Sequence, residues 1–328
     1  MKKLMVIPLV AAGMAAMVGC STTPVKEAAK NDAINLANLD TAVAPGTDFY
    51  QYACGGWMKN NPLKPEYARF GTFDQLRDNN QEQIRTLIEG LSETPGQEGS
   101  VGQKIGLLFA MGMDSVKLNE DGYAPIKDQL AEINKLGTKD ELTKMVATLH
   151  KEGMAPFFAL YVGADEKNSF MNIVQLYQAG LGMGDRDYYL LEDESSQKMR
   201  EAYKNYITRL FTLIGSSPEQ ADAAVDAIMK IERGIAEVSF SREDLRDSQK
   251  NYNKMSIEEF KAKNDPLNWD VYFESMGMMD IKYLDAKQLS FYEGLSALMK
   301  NTTLDEQKYY LTFNLLSSAA NPHLTMNS

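Results

Sequence analysis

Arg69, Phe73, Asp74 and Arg77 place two guanidinium groups, a carboxylate and an aromatic ring within nine positions. Arginine binds carboxylates through two parallel hydrogen bonds. Asp74 and Arg77 stand at i and i+3, so on a helix they share a face. By spacing alone they read as a helix-start salt bridge beside an aromatic core residue. Other residues able to do chemistry are few. The two histidines, His150 and His323, cannot supply a zinc helix with ligands at i and i+4, and read as structural or exposed. The two cysteines, Cys20 and Cys54, leave no intramolecular disulfide framework. With 45 acids, carboxylate pairs arise by chance, so a glycosidase-type pair is not singled out. Glu243 and Asp244 belong to the charged run 242–247, which reads as a solvated face. Met111 and Met113 read as core filling, and Trp57 as a core residue.

These residues sit in a chain of 328 residues and 36.7 kDa, enough for two ordinary domains or one large one. Net charge is −11 and the pI about 4.9, which argues against nucleic-acid binding, since phosphate contact needs clustered Lys and Arg.

Around Arg69–Arg77 the sequence predicts a short helix, a tight turn at Gly55 and Gly56 before Trp57, and an extended connection stiffened by Pro62 and Pro65. A second helix follows, capped by Thr72 with Gln75. Ile84, Leu87, Ile88 and Leu91 keep helical spacing, and a loop spans 92–100. Helical patterns resume over 101–114, from Pro125, and after the capping box Thr138/Glu141. Segments 157–162 and 170–177 are strand-like and flank a turn, so they read as one β-hairpin. A glycine-rich loop spans 178–190, where Asp185, Arg186 and Asp187 read as an ion-pair cluster. From Glu194 onward the chain is helical, with start signals at Ser217/Pro218/Gln220, Ser256/Glu259 and Thr303/Glu306 and a break over 264–270. The expected fold is mainly α, a multi-helix lid-type domain with one β-hairpin.

The N-terminus reads as an export signal over residues 1–19: Lys2 and Lys3, then an apolar run too short to span a membrane comfortably. Met17-Val18-Gly19-Cys20 looks like a bacterial lipobox, which would place a diacylglycerol on the Cys20 thiol. Residues 20–45 read as a flexible linker and 46–328 as the folded body. The expectation is a lipid-anchored protein of the bacterial cell envelope.

Several stretches together resemble the N-terminal, non-catalytic half of the neprilysin-type zinc metallopeptidases. Asp48, Phe49, Tyr52, Ala53, Cys54, Gly55, Gly56 and Trp57 match its opening signature, followed by Arg69, Phe70, Gly71, Phe73, Asp74, Leu76 and Arg77. Gln178, Gly180, Leu181, Arg186, Tyr188, Tyr189 and Leu190 match a second signature, with Met183-Gly184 where Leu-Pro is usual. Leu245-Arg246-Asp247, Asn251 to Met255 and Tyr309-Tyr310-Leu311 match further positions. The resemblance runs from about residue 45 to 320. It implies a two-lobed architecture in which this half caps a zinc lobe and admits only small peptides. It also implies that Arg69, Phe73, Asp74 and Arg77 line a substrate pocket, with an arginine on a peptide carboxylate. Cys54 would pair with a cysteine of the other half or stay a buried thiol.

The family's chemistry is peptide hydrolysis by zinc held on a His-Glu-x-x-His helix and a later Glu. Neither His150 nor His323 lies in such a motif. The expectation is therefore an incomplete architecture: no metal and no cofactor in this chain, zinc in a missing C-terminal catalytic domain, and no cleavage by this chain alone. The alternative is a non-enzymatic exported lipoprotein that binds peptides with the helical domain.

Overall fold

The computed structural model describes residues 34–63 and 70–323. The export signal, Cys20, most of the linker, Pro65 and Arg69 lie outside the described residues. The chain divides after Leu87 into two compact units.

In the first unit, α1 (Phe49–Asn60) begins where the Asp48 carboxylate accepts from the Gln51 amide, an ordinary N-cap. It does not break at the glycines. Helix continues through Gly55 and Gly56, neither of which has positive φ, so the expected glycine turn is absent. The reason for glycine is close approach. The turn Leu36–Asn38 lies across α1, and a Cβ on Gly56 would stand 2.8 Å from the Leu39 carbonyl oxygen. The Asp40 amide donates to the Tyr52 carbonyl at 2.8 Å, and Gln51 Nε2 donates to the Asp40 carboxylate at 3.1 Å. Gly56→Ala is thus expected to lift residues 34–40 off the helix. Limited proteolysis would show at least tenfold faster cleavage there, while α1 persists.

Helix α2 (Thr72–Glu93) begins at Gly71, not at a Thr72 cap. The Asp74 carboxylate accepts from the Gly71 amide at 2.9 Å. Gln75, the expected partner of Thr72, instead accepts from Trp57 Nε1 at 3.3 Å, while the Trp57 ring stacks on Phe70. Trp57 is only half-buried.

The second unit carries α3 (Val101–Met113), α4 (Ser115–Asp121), α5 (Lys127–Lys135) and α6 (Lys139–Lys151). The hairpin follows as β1 (Phe158–Asp165) and β2 (Asn168–Gln178). Next come α7 (Asp187–Leu190), α8 (Glu194–Leu213) and α9 (Pro218–Val238). The chain continues through β3 (Lys254–Ser256), α10 (Ile257–Lys263), α11 (Trp269–Met276), β4 (Tyr283–Ala286), α12 (Leu289–Lys300) and α13 (Leu304–His323).

The core begins at α5 and α6. Leu142, Met145, Val146 and Leu149 of α6 are buried, as the stripe requires. Helix α9 is the centre: Ala224, Ile228, Ile231 and Ile235 are buried against α8, α12 and α13. Each fully buried isoleucine contributes roughly 1.5–3 kcal/mol. By contrast α2 and α4 bury no side chain, and Met111 and Met113 are exposed rather than core filling.

The fold is mainly α as expected, and the hairpin belongs to a larger sheet. Four strands run in the order β1-β2-β4-β3, with β2 and β4 parallel and the other pairs antiparallel. Strand β1 runs on to Asp165, which shortens the expected turn. Asp165 is buried and accepts from the Tyr252 hydroxyl at 2.8 Å and Lys254 Nζ at 2.7 Å, tying the hairpin tip to β3. The Lys254 contact leads in holding its carboxyl at about 2.

Candidate functional site

The start of α2 gathers three of the four residues singled out by sequence. Asp74 closes the first turn and also holds Arg77, with Nη1 to Oδ1 at 3.1 Å. Arg77 Nε lies 3.6 Å from Asp78 as well. Such a half-exposed pair adds only about 0.5 kcal/mol to stability, so its main effect is to fix where the guanidinium points. Phe73 is 89% exposed and is not an aromatic core residue. The cluster therefore presents a ring, a carboxylate and an oriented guanidinium on the first two turns of one helix.

A second site, which sequence reasoning did not find, lies wholly in the second unit. It is a cavity of about 500 Å³ walled by the loop 178–186, the end of α9 and α13. Gln178 clamps one wall: its side chain accepts from the Phe240 amide at 2.7 Å and donates to the Phe240 carbonyl at 3.3 Å. Arg186 Nη1 donates to the Ser239 carbonyl at 2.6 Å, and its buried Nε has no partner. Asp185 pairs with Arg242, not with Arg186. The expected loop cluster is thus a set of straps between the loop and the end of α9.

Backbone strain marks the same place. Phe157 is buried with φ +67°, a conformation unusual for an aromatic residue. Its amide donates to the Tyr310 hydroxyl at 3.1 Å, which in turn donates to the Gly180 carbonyl at 2.8 Å. Gly180 has φ +101°, and a Cβ there would lie 2.6 Å from the Tyr310 hydroxyl. Beneath the loop, Glu232 is 1% exposed and accepts from the hydroxyls of Tyr189 at 2.6 Å and Tyr203 at 3.0 Å. Burial pushes its carboxyl up to about 7, against the pull of those hydrogen bonds. The available sequence signal was an acid four residues after Ile228, in phase with the buried stripe of α9.

The described residues do not fit a zinc site. No group of three or more His, Cys, Asp or Glu able to hold a metal occurs among them. His150 is committed elsewhere, with Nε2 3.0 Å from the Pro156 carbonyl and Nδ1 2.6 Å from the Tyr272 hydroxyl. A carbonyl only accepts, so Nε2 carries the proton and Nδ1 accepts from the tyrosine. Burial lowers its pKa to about 4, and the ring stays neutral. Cys54 is half-buried and has no disulfide partner among the described residues.

Known structures give the class. The chain is similar to the zinc metalloprotease Zmp1 of Mycobacterium tuberculosis, with a TM-score of 0.77 and 25% identity over 88% of this chain and 44% of that one. It shares the fold of PepO from Lactobacillus rhamnosis, with a TM-score of 0.65, 19% identity, and 86% and 44% coverage. The fold is therefore the mainly α domain found in zinc metalloproteases. Sequence gives the family: residues 45–327 match Peptidase family M13, and the chain belongs to that family. Mouse and human endothelin-converting enzyme 1 are both 30% identical to it, each over 86% of this chain. The chain spans only 38% of the mouse relative and 37% of the human one.

Proposed function

We propose that this chain is the substrate-enclosing N-terminal part of an exported zinc metalloendopeptidase that acts on small peptides. The zinc would be held in a catalytic domain outside this chain, and Cys20 would carry a lipid anchor to the bacterial envelope. No helix among the described residues is long and apolar enough to cross a membrane. One observation carries the proposal: the early helices present apolar side chains and bury almost none. Phe49, Tyr50, Phe73 and Leu87 of the first unit are exposed, as are Val101, Leu108 and Met111 of the second. In each unit taken by itself, clustered exposed apolar side chains are the mark of an interaction face, of the kind a second lobe would bury.

In this reading Arg77, held by Asp74, takes the terminal carboxylate of a peptide through a bidentate contact, with Arg69 as the second guanidinium. Phe73 packs on a peptide side chain. The first test is hydrolysis of a short peptide by this chain alone, with zinc added and with chelator. No chelator-sensitive cleavage is expected, and its appearance would overturn the division of labour. The second is binding of the same peptide as free acid and as C-terminal amide. The acid is expected to bind at least tenfold tighter, and Arg77→Ala to erase that preference. Equal affinities would remove the arginines from substrate recognition.

A further inference from the structure

Arg186 carries a charge that no acid among the described residues answers. Its only hydrogen bond among them runs from Nη1 to the Ser239 carbonyl, at 2.6 Å, and its buried Nε has no acceptor. Asp185, its neighbour in the loop, is taken by Arg242. Other sheltered cations are treated differently. Arg200 reaches Glu192 at 3.1 Å, and the buried Lys287 lies between Glu166 and Asp285. A half-buried guanidinium without an acid leaves part of its desolvation cost uncompensated. An acid supplied from outside the chain recovers that cost.

Arg186 lines a space in which such an acid fits. The cavity of about 500 Å³ between the loop 178–186 and α13 falls within the size range of small-molecule sites. Its remaining wall is of two kinds. Leu181, Phe240 and Phe313 supply apolar surface. Asn314 and Ser318, one turn apart on α13, supply neutral polar atoms. The Asn314 side-chain nitrogen donates to the Tyr310 carbonyl at 2.8 Å, which leaves its oxygen open to a ligand. Glu232 belongs to the same wall but offers no free atom. It is 1% exposed, and its oxygens receive the Tyr189 and Tyr203 hydroxyls and the Gly182 amide. Burial also favours its uncharged form, so it does not offset the charge of Arg186.

We infer that this cavity binds a small organic carboxylate with an apolar side chain, of the chemical class of N-acylated amino acids, through Arg186. The carboxylate takes the guanidinium through charge-assisted N–H···O contacts. The side chain lies on Leu181, Phe240 and Phe313, and the acyl amide meets the Asn314 oxygen and the Ser318 hydroxyl. The ligand is bound and no bond is made or broken. The site lies wholly in the second unit and does not involve Arg77. It is therefore independent of the peptidase reading and holds whether or not the chain meets larger peptides.

Calorimetric titration of the full chain with N-acetyl-leucine tests it. N-acetyl-leucinamide has the same shape without the charge, and is expected to bind about tenfold more weakly through loss of the charge-assisted contact. N-acetylglycine lacks the apolar side chain and is expected to lose about tenfold as well. Arg186→Gln keeps a donor for the Ser239 carbonyl and is expected to make acid and amide equal. Asn314→Phe enlarges a half-buried side chain of the opposite wall, leaves the hydrogen bonds of the loop in place, and is expected to abolish binding. Arg77→Ala is expected to leave all three affinities unchanged, which separates this site from the peptide contact on α2. No binding of N-acetyl-leucine, or equal binding of acid and amide by the wild type, would overturn the site. So would an acid preference kept by Arg186→Gln or lost in Arg77→Ala. Should Arg186→Gln fail to fold, unchanged binding by Asn314→Phe would do the same.

Discussion

Phe158→Ala is expected to lower the unfolding free energy of the larger unit by about 4 kcal/mol. Phe158 is completely buried at the start of β1. Its ring lies 5.3 Å from both Trp269 and Tyr272, 6.0 Å from Tyr292 and 4.8 Å from the His150 ring. The cluster thus joins α6, α11, α12 and the sheet through one side chain. Truncation removes that centre and leaves a void between elements held by other contacts, so the site cannot fully collapse. Thermal unfolding should shift down by roughly 10 °C for a unit of this size. Phe158→Leu, which keeps much of the volume, should cost no more than about 1.5 kcal/mol. Equal losses for the two variants would mean that ring volume is not what the cluster needs.

Gly180→Ala is the second large effect, about 3 kcal/mol. A side chain at φ +101° costs roughly 1–2 kcal/mol in backbone strain. The new Cβ also displaces the Tyr310 hydroxyl, which links the Phe157 amide to the Gly180 carbonyl. Losing those buried hydrogen bonds adds about 1 kcal/mol each. Urea unfolding should show a lower midpoint with an unchanged slope. The double variant with Tyr310→Phe should cost less than the sum of the two single changes, because both break the same link. Strict additivity would separate the glycine from the tyrosine.

How much of this was readable beforehand depended on whether the controlling contact was local. The capping boxes at Thr138/Glu141, Ser217/Gln220 and Ser256/Glu259 form as the sequence predicts, because each needs only residues within one turn. The buried stripe of α9 is legible for the same reason. The turn expected at Gly55 and Gly56 is absent because the groups that require glycine there lie on a separate segment, and glycine for close approach looks like glycine for a turn. Strands β3 and β4 went unseen because Lys-Met-Ser and Tyr-Leu-Asp-Ala carry weak strand propensity and owe their pairing to tertiary context. At the α2 site the Asp74–Arg77 pair followed from spacing, whereas the exposure of Phe73 did not. Glu232 was hidden because an acid on a helix is ordinarily solvated.

The parallel pairing of β2 with β4 bears on the order in which this protein assembles. Val174 meets Leu284, so the two strands close a loop of about 110 residues, at an entropic cost near 4 kcal/mol. Pairs of helices adjacent in the chain, such as α8 with α9, meet no such barrier and can form as the chain leaves the ribosome. The hairpin must then wait, with one long edge unpaired, until β4 has been synthesised. During that interval it is the segment of the nascent chain most open to mispairing with a neighbour, and chaperone contacts mapped on stalled chains should concentrate on residues 168–178.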